Sequence, residues 1–133
     1  MRIAPEQGVG AAEALALYDA VGWTAYTRDP ELLARALAGS HLVLTARTDT
    51  GELVGIARTV SDGASICYLQ DLLVRPDQQR AGVGRVLLAE VLRRYADLRQ
   101  VVLTTDADGP HEFYRALGFV PTGELGLVSY SRG

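Results

Sequence analysis

The stretch from Leu72 to Ala96 constrains this chain most. A continuously apolar run, Leu72-Leu73-Val74, stops at Arg75-Pro76 and gives way to Asp77-Gln78-Gln79-Arg80-Ala81-Gly82-Val83-Gly84. From Gly84 to Ala96, the residues Val86, Leu87, Val91, Leu92 and Tyr95 recur at helical spacing and make the strongest amphipathic helix of the chain. A strand covered on both faces, joined by a glycine-bearing turn to such a helix, belongs to a layered α/β domain. Two glycines at the helix entrance let the backbone turn sharply and approach a ligand without Cβ interference. The unpaired N–H groups of the first turn, with the helix dipole, form an anion site. Three or four charge-assisted hydrogen bonds of about 1.5–3 kcal/mol each would hold a pyrophosphate. Taken alone, the loop reads equally as a plain strand-to-helix turn, since it is neither a Walker pattern nor a full dinucleotide fingerprint.

Around this unit the remaining elements fall into place. Ala11–Val21 carries a partial helical stripe that stops at Gly22, and Asp29-Pro30 opens a second helix as N-cap and first-turn proline. Trp23–Arg28 between them reads as a loop. His41–Thr48 and Glu52–Val60 read as a hairpin about Asp49-Thr50-Gly51, and Asp62-Gly63 turns into the long strand Ser65–Val74. Val101–Thr105 is a short strand, Pro110–Leu117 a helix closed by Gly118, and Phe119-Val120 and Leu127–Ser131 read as the last strands. No repeat and no long linker divides the chain, so residues 1–133 are expected to form a single domain.

Composition narrows the function. A net charge of -3 gives a nucleic-acid partner no support. All 13 basic residues are arginine, which reads as the codon usage of a GC-rich genome. The lone cysteine, Cys67, rules out an intramolecular disulfide, and no Cys/His cluster surrounds it, so no metal is expected. With no long apolar stretch and no signal peptide, the expectation is a cytoplasmic protein without a membrane partner.

Gln79-x-x-Gly82-x-Gly84, preceded by Leu72-Leu73-Val74-Arg75-Pro76, resembles the signature of the GNAT superfamily of N-acetyltransferases. A second family element, Phe-Tyr-x-x-x-Gly-Phe, is present as Phe113-Tyr114-Arg115-Ala116-Leu117-Gly118-Phe119, about 30 residues on. The resemblance runs from about Leu42 to Val120. It implies an α/β (α+β by some schemes) GNAT fold: a mixed central sheet with antiparallel N-terminal strands, a splayed parallel strand pair and about four flanking helices. It also implies acetyl-CoA as cofactor. The donor would lie along Leu72, Leu73 and Val74, its pyrophosphate on Gln79, Arg80, Ala81, Gly82, Val83, Gly84 and Arg85, with Phe113 beside it. Where the family often has an asparagine after the second parallel strand, this chain offers Asp106 or Ala107. A homodimer, with Leu127–Ser131 at its interface, is a further implication.

Acetyl transfer to an amine needs a neutral nucleophile and a stabilised leaving thiolate. At pH 7 only about one alkylamine in 10³ is neutral. The resemblance assigns the leaving-group side to Tyr114, which from the residues alone reads equally as a packing residue of a short helix. On the amine side stands Asp71, a carboxylate inside an apolar strand, read either as a base of raised pKa or as the partner of an arginine or a bulge. Tyr68 and Gln70 fall on the opposite face from Asp71 unless a bulge intervenes. The resemblance places Trp23 and Tyr26 on the acceptor side, with Tyr68 and Gln70 as further substrate residues, suiting a small cationic amine with an aromatic or apolar body; the simpler reading of Trp23 is an anchor of its loop in the core. His111 reads as an exposed first-turn residue, and nothing nearby would activate Cys67. The expected activity is acetyl-CoA-dependent N-acetylation of a small-molecule primary amine in a ternary complex. The alternatives are a non-catalytic acyl-CoA-binding regulatory module and an acetyltransferase of protein N-termini.

Overall fold

A computed structural model describes residues 1–133. The strands are β1 (Arg2–Pro5), β2 (Leu42–Arg47), β3 (Leu53–Ser61), β4 (Ile66–Val74) and β5 (Gln100–Leu103). The helices are α1 (Ala11–Ala20), α2 (Thr24–Thr27), α3 (Pro30–Ala38), α4 (Val83–Arg94) and α5 (His111–Ala116). One five-stranded sheet runs in the order β1-β2-β3-β4-β5. Its first four strands pair antiparallel, and β4 with β5 is parallel.

Both sheet faces are covered. On one, Leu87, Leu88 and Val91 of α4 pack against Leu44, Val54, Ala57 and Leu69. On the other, Leu17 and Tyr18 of α1 and Leu33 and Leu37 of α3 pack against Val43, Ile56 and Leu73. Each fully buried aliphatic side chain contributes about 1.5–3 kcal/mol. A Cβ on Gly55 would lie 3.0 Å from the Leu87 side chain and 3.1 Å from that of Val83. Glycine there lets α4 sit close on β3. The α3 entrance follows the capping expectation, with the Asp29 carboxylate accepting from the Leu32 N–H at 3.2 Å and Pro30 in the first turn.

The chain departs from the sequence reading at both ends. β1 pairs with β2 although its four residues, ending in Pro5, carry no readable alternation. Phe119-Val120 and Leu127–Ser131, expected as strands, form none; a 3-10 turn at Thr122–Leu125 lies between them and the tail is exposed. Pro121 lacks an N–H donor, and Gly126, at φ +75°, turns the chain out of extended conformation. The loop expected at Trp23–Arg28 contains the single turn α2.

Candidate active site

The site is made by a strand pair that opens. β4 and β5 pair from Ile66↔Gln100 to Leu69↔Leu103 and no further, whereas β4 continues to Val74. Leu72, Leu73 and Val74 pair with Ala57, Ile56 and Gly55 of β3, so their second edge faces an opening instead of a strand. A bulge sits where the opening begins: Arg58 pairs with Asp71 and Thr59 with Leu69, leaving Gln70 without a partner on β3. The opening is a cleft of about 430 Å3. Leu69, Gln70 and Leu72 form one wall, Leu103 to Asp106 with Gly109 and Pro110 the other, and Trp23 and Tyr114 also line it.

Below the cleft, β4 leads into the glycine loop. Pro76–Ala81 is a 3-10 helix, Gly82 stands at φ +80°, and α4 begins at Val83, one residue before the Gly84 start read from the sequence. A Cβ at Gly82 would meet nothing within 4 Å, so glycine is required there for its left-handed backbone. Gly84 lies 3.7 Å, at its would-be Cβ, from the Phe113 ring. Gln79 donates through Nε2 to the Val74 carbonyl at 3.1 Å, tying the loop to the strand end.

No side chain caps α4, and its first turn holds no acidic residue. Arg80 and Arg85 are exposed there, and neither forms an ion pair. Uncompensated guanidinium groups at the positive end of a helix dipole are unfavourable until an anion arrives. An open ladder edge continuous with an uncapped, arginine-flanked helix start fits an extended donor that carries amides at one end and phosphates at the other.

Tyr114 is half-buried on the cleft wall, and burial alone pushes its phenol up from the ordinary value, no charged or hydrogen-bonding neighbour contributing. It edge-packs with Phe113 and Phe119 at centroid distances of 5.2 and 6.0 Å. His111 is exposed and turned back on its own loop, its Nε2 2.6 Å from the Ala107 carbonyl oxygen. Cys67 is buried, which pushes its thiol up to about 11.

Asp71 does not line the cleft. It is 3% exposed, on the α1 face, and accepts from Arg58 Nε at 2.8 Å, from the Tyr18 hydroxyl at 2.9 Å and from the Tyr26 hydroxyl at 3.3 Å. Arg58 also donates to the Tyr26 hydroxyl at 2.8 Å. Of the two readings of Asp71, the arginine-paired one describes its surroundings: the carboxylate is buried, held by Arg58, Tyr18 and Tyr26, and absent from the cleft lining. Tyr26 is drawn into the same network, away from the cleft, while Trp23 rests edge-on against Tyr18 at 5.9 Å. The bulge returns Tyr68 to the Asp71 face, where its hydroxyl donates to Thr104 Oγ1 at 2.6 Å across the root of the opening. The structure thus gathers Trp23, Gln70, Leu72, Asp106 and Tyr114 at the cleft and sets Asp71, Tyr26 and Tyr68 outside its lining. Sequence reasoning missed Arg58 and Tyr18, whose only signal was the need of Asp71 for a partner, and the Thr104-Thr105 wall, whose signal was its place just after a short strand.

The acetyltransferase (GNAT) domain family matches residues 6–129. An uncharacterized N-acetyltransferase of Porphyra purpurea is 32% identical over 123 residues, covering 87% of this chain and 69% of that protein. A histone acetyltransferase of Glycine max is 33% identical over 129 residues, covering 86% of this chain and 54% of the soybean protein, of which the chain therefore spans about half. Among solved structures, a GNAT family acetyltransferase of Streptococcus pneumoniae aligns with a TM-score of 0.86 at 33% identity, covering 98% of this chain and 96% of that one.

Proposed function

This chain belongs to the GNAT acetyltransferase family and is an N-acetyltransferase, and we propose that it acetylates the primary amine of a small cationic molecule. The observation that carries this reading is the cleft: about 430 Å3, bounded by Trp23 on one side and the exposed Asp106 on the other. That volume, which the acyl end of the donor would share, falls in the range of small-molecule sites, roughly 300–1,000 Å3. An indole face and a carboxylate together recognise an ammonium attached to an apolar body.

Acetyl-CoA, the cofactor of this family, supplies the acetyl group already activated as a thioester. The open edge of Leu72–Val74, the uncapped start of α4 and the guanidinium groups of Arg80 and Arg85 would hold it. Tyr114 keeps its phenolic proton through the working pH range and presents it at the cleft for the departing sulfur. Asp106, at the position where the resemblance implies a pantetheine contact, would here draw the ammonium into the cleft. With Asp71 already paired to Arg58, the acceptor's proton leaves through water in the open cleft and the neutral fraction attacks. Asp71 serves as a positioning residue that holds Tyr26, and through Tyr18 the Trp23 wall.

Thiol release from acetyl-CoA, measured against polyamines, arylalkylamines, aminosugar phosphates and peptides, tests the acceptor class. The expected result is turnover with a small amine and none with peptides. The histone acetyltransferase name of the soybean relative makes peptides the informative counter-arm: turnover confined to them would overturn the small-molecule reading. CoA binding without thiol release from any amine would leave a non-catalytic module.

A further inference from the structure

Granted the small-amine reading, the cleft lining also restricts what else the acceptor carries. Of its 11 residues Asp106 alone is charged, and no arginine or histidine is among them. The chain has no lysine, so every permanent side-chain cation is an arginine. Those around the cleft are engaged elsewhere. Arg58 is buried against Asp71 and Tyr26, Arg115 pairs with Glu124 at 2.6 Å, and Arg28 lines a separate hollow with Asp19 and Thr24. Arg80 and Arg85 flank the start of α4, at the phosphate end of the donor. The helix start on the cleft, that of α5, offers no anion site either: Pro110 has no N–H, that of His111 is given to the Gly109 carbonyl at 2.8 Å, and Glu112 occupies the first turn.

An acidic group on the acceptor would therefore enter without a partner. It would also lie beside the Asp106 carboxylate, which is exposed and forms no ion pair. A carboxylate or phosphate that gives up water without gaining a cation loses free energy, and a like charge nearby adds to the loss. An ammonium gains from the same carboxylate. The other polar side chains of the lining, Gln70, Thr104, Thr105 and Tyr114, are neutral and meet hydroxyl or amine groups equally well.

We propose that the acceptor is an amine bearing no carboxylate or phosphate, and that the cation-free lining together with Asp106 excludes the acidic counterpart of that amine. Selectivity here comes from a repulsive element as much as from an attractive one. An amine of this kind arises when an amino acid loses its carboxylate as carbon dioxide, so a decarboxylation is the reaction class that supplies the substrate. In the transfer, the ammonium first gives one proton to water. The nitrogen then bonds to the acetyl carbon as the carbon–sulfur bond breaks, and its second proton goes to the departing sulfur. The amide carries no charge at nitrogen, so the product loses the attraction of Asp106 and leaves.

Thiol release from acetyl-CoA, measured with amines matched to their acidic counterparts, tests this: tyramine against tyrosine, putrescine against ornithine, and glucosamine against glucosamine 6-phosphate. In each pair that turns over, the member without the acid should be preferred in kcat/KM by about 100-fold. Gln70→Arg sets a guanidinium in the lining at an exposed position that has no partner on β3. It should raise the kcat/KM of the acidic member relative to the amine by about tenfold, and Asp106→Asn should narrow the gap in the same direction. Acidic members turned over as well as their amines overturn the proposal and leave the small-amine reading standing. So does a preference that Gln70→Arg and Asp106→Asn both leave unchanged. No turnover of any member overturns the small-amine reading and the proposal with it.

Discussion

Tyr114 carries its hydroxyl on a helix of only six residues, wedged between Phe113 and Phe119, so the phenol is held by packing and not by a polar partner. A hydrogen bond from it to a developing thiolate would contribute about 1.5–3 kcal/mol. Tyr114→Phe should therefore lower kcat by about 10- to 150-fold while leaving CoA affinity nearly unchanged, read by steady-state kinetics and titration calorimetry; an unaltered kcat removes Tyr114 from the chemistry. Since burial raises its pKa above 10.0, the rate should not fall on the alkaline side until the pH passes that value. Asp71 invites the opposite expectation. Asp71→Asn leaves Arg58 buried and unpaired, which costs about 3–5 kcal/mol of stability, seen as a lower denaturation midpoint. A catalytic base would instead lose rate with stability retained. A carboxylate inside an apolar strand was legible as an anomaly in the sequence; its partner was not, because Arg58 lies thirteen residues away on β3 and meets it only through the strand register.

The bulge at Gln70 explains what the strand pattern hid. Strict alternation sets Tyr68 and Asp71 on opposite faces, and one extra residue reverses that parity. β2 to β5 and α4 were legible because burial on two faces or one stripe stamps a period on them, and the glycine loop was legible because its spacing is uncommon. β1 was not, being four residues of edge strand, and the C-terminal segment misled because β-propensity without a neighbour to pair with makes no strand. Within the loop, Gly82 can be tested directly. A non-glycine residue at φ +80° costs about 1–2 kcal/mol, and the alternative is a rearranged helix start. Gly82→Ala should weaken CoA binding by about tenfold, measured by calorimetry, with the overall fold kept. Retained affinity would separate the loop from phosphate binding.

Across the molecule, Arg47 clamps the N-terminal third to the sheet. From β2 it donates to Glu6, just beyond β1, at 2.7 Å and to Glu13 of α1 at 2.5 Å. Its hydrogen bonds hold both carboxyls below the ordinary 4.5. A group with a depressed folded pKa stabilises fully above its unfolded value and loses that contribution as the pH falls through the folded one. Stability should therefore decline as the pH drops below about 4.5, and Arg47→Met should flatten that decline; an equally steep acid profile in the variant would place the acid sensitivity elsewhere. The two-sided core followed from the sequence because each helix declares its own apolar face. The acceptor did not, because the cleft is assembled from Trp23, Gln70, Asp106 and Tyr114, four places that only the folded sheet brings together. The Tyr68 to Thr104 hydrogen bond gives that sheet a mechanical property. A donor entering between β4 and β5 would meet the closed rung Leu69↔Leu103, held by that bond. Tyr68→Phe, which removes that bond, should raise thiol release from propionyl-CoA relative to acetyl-CoA; an unchanged chain-length preference would separate the closed rung from acyl length.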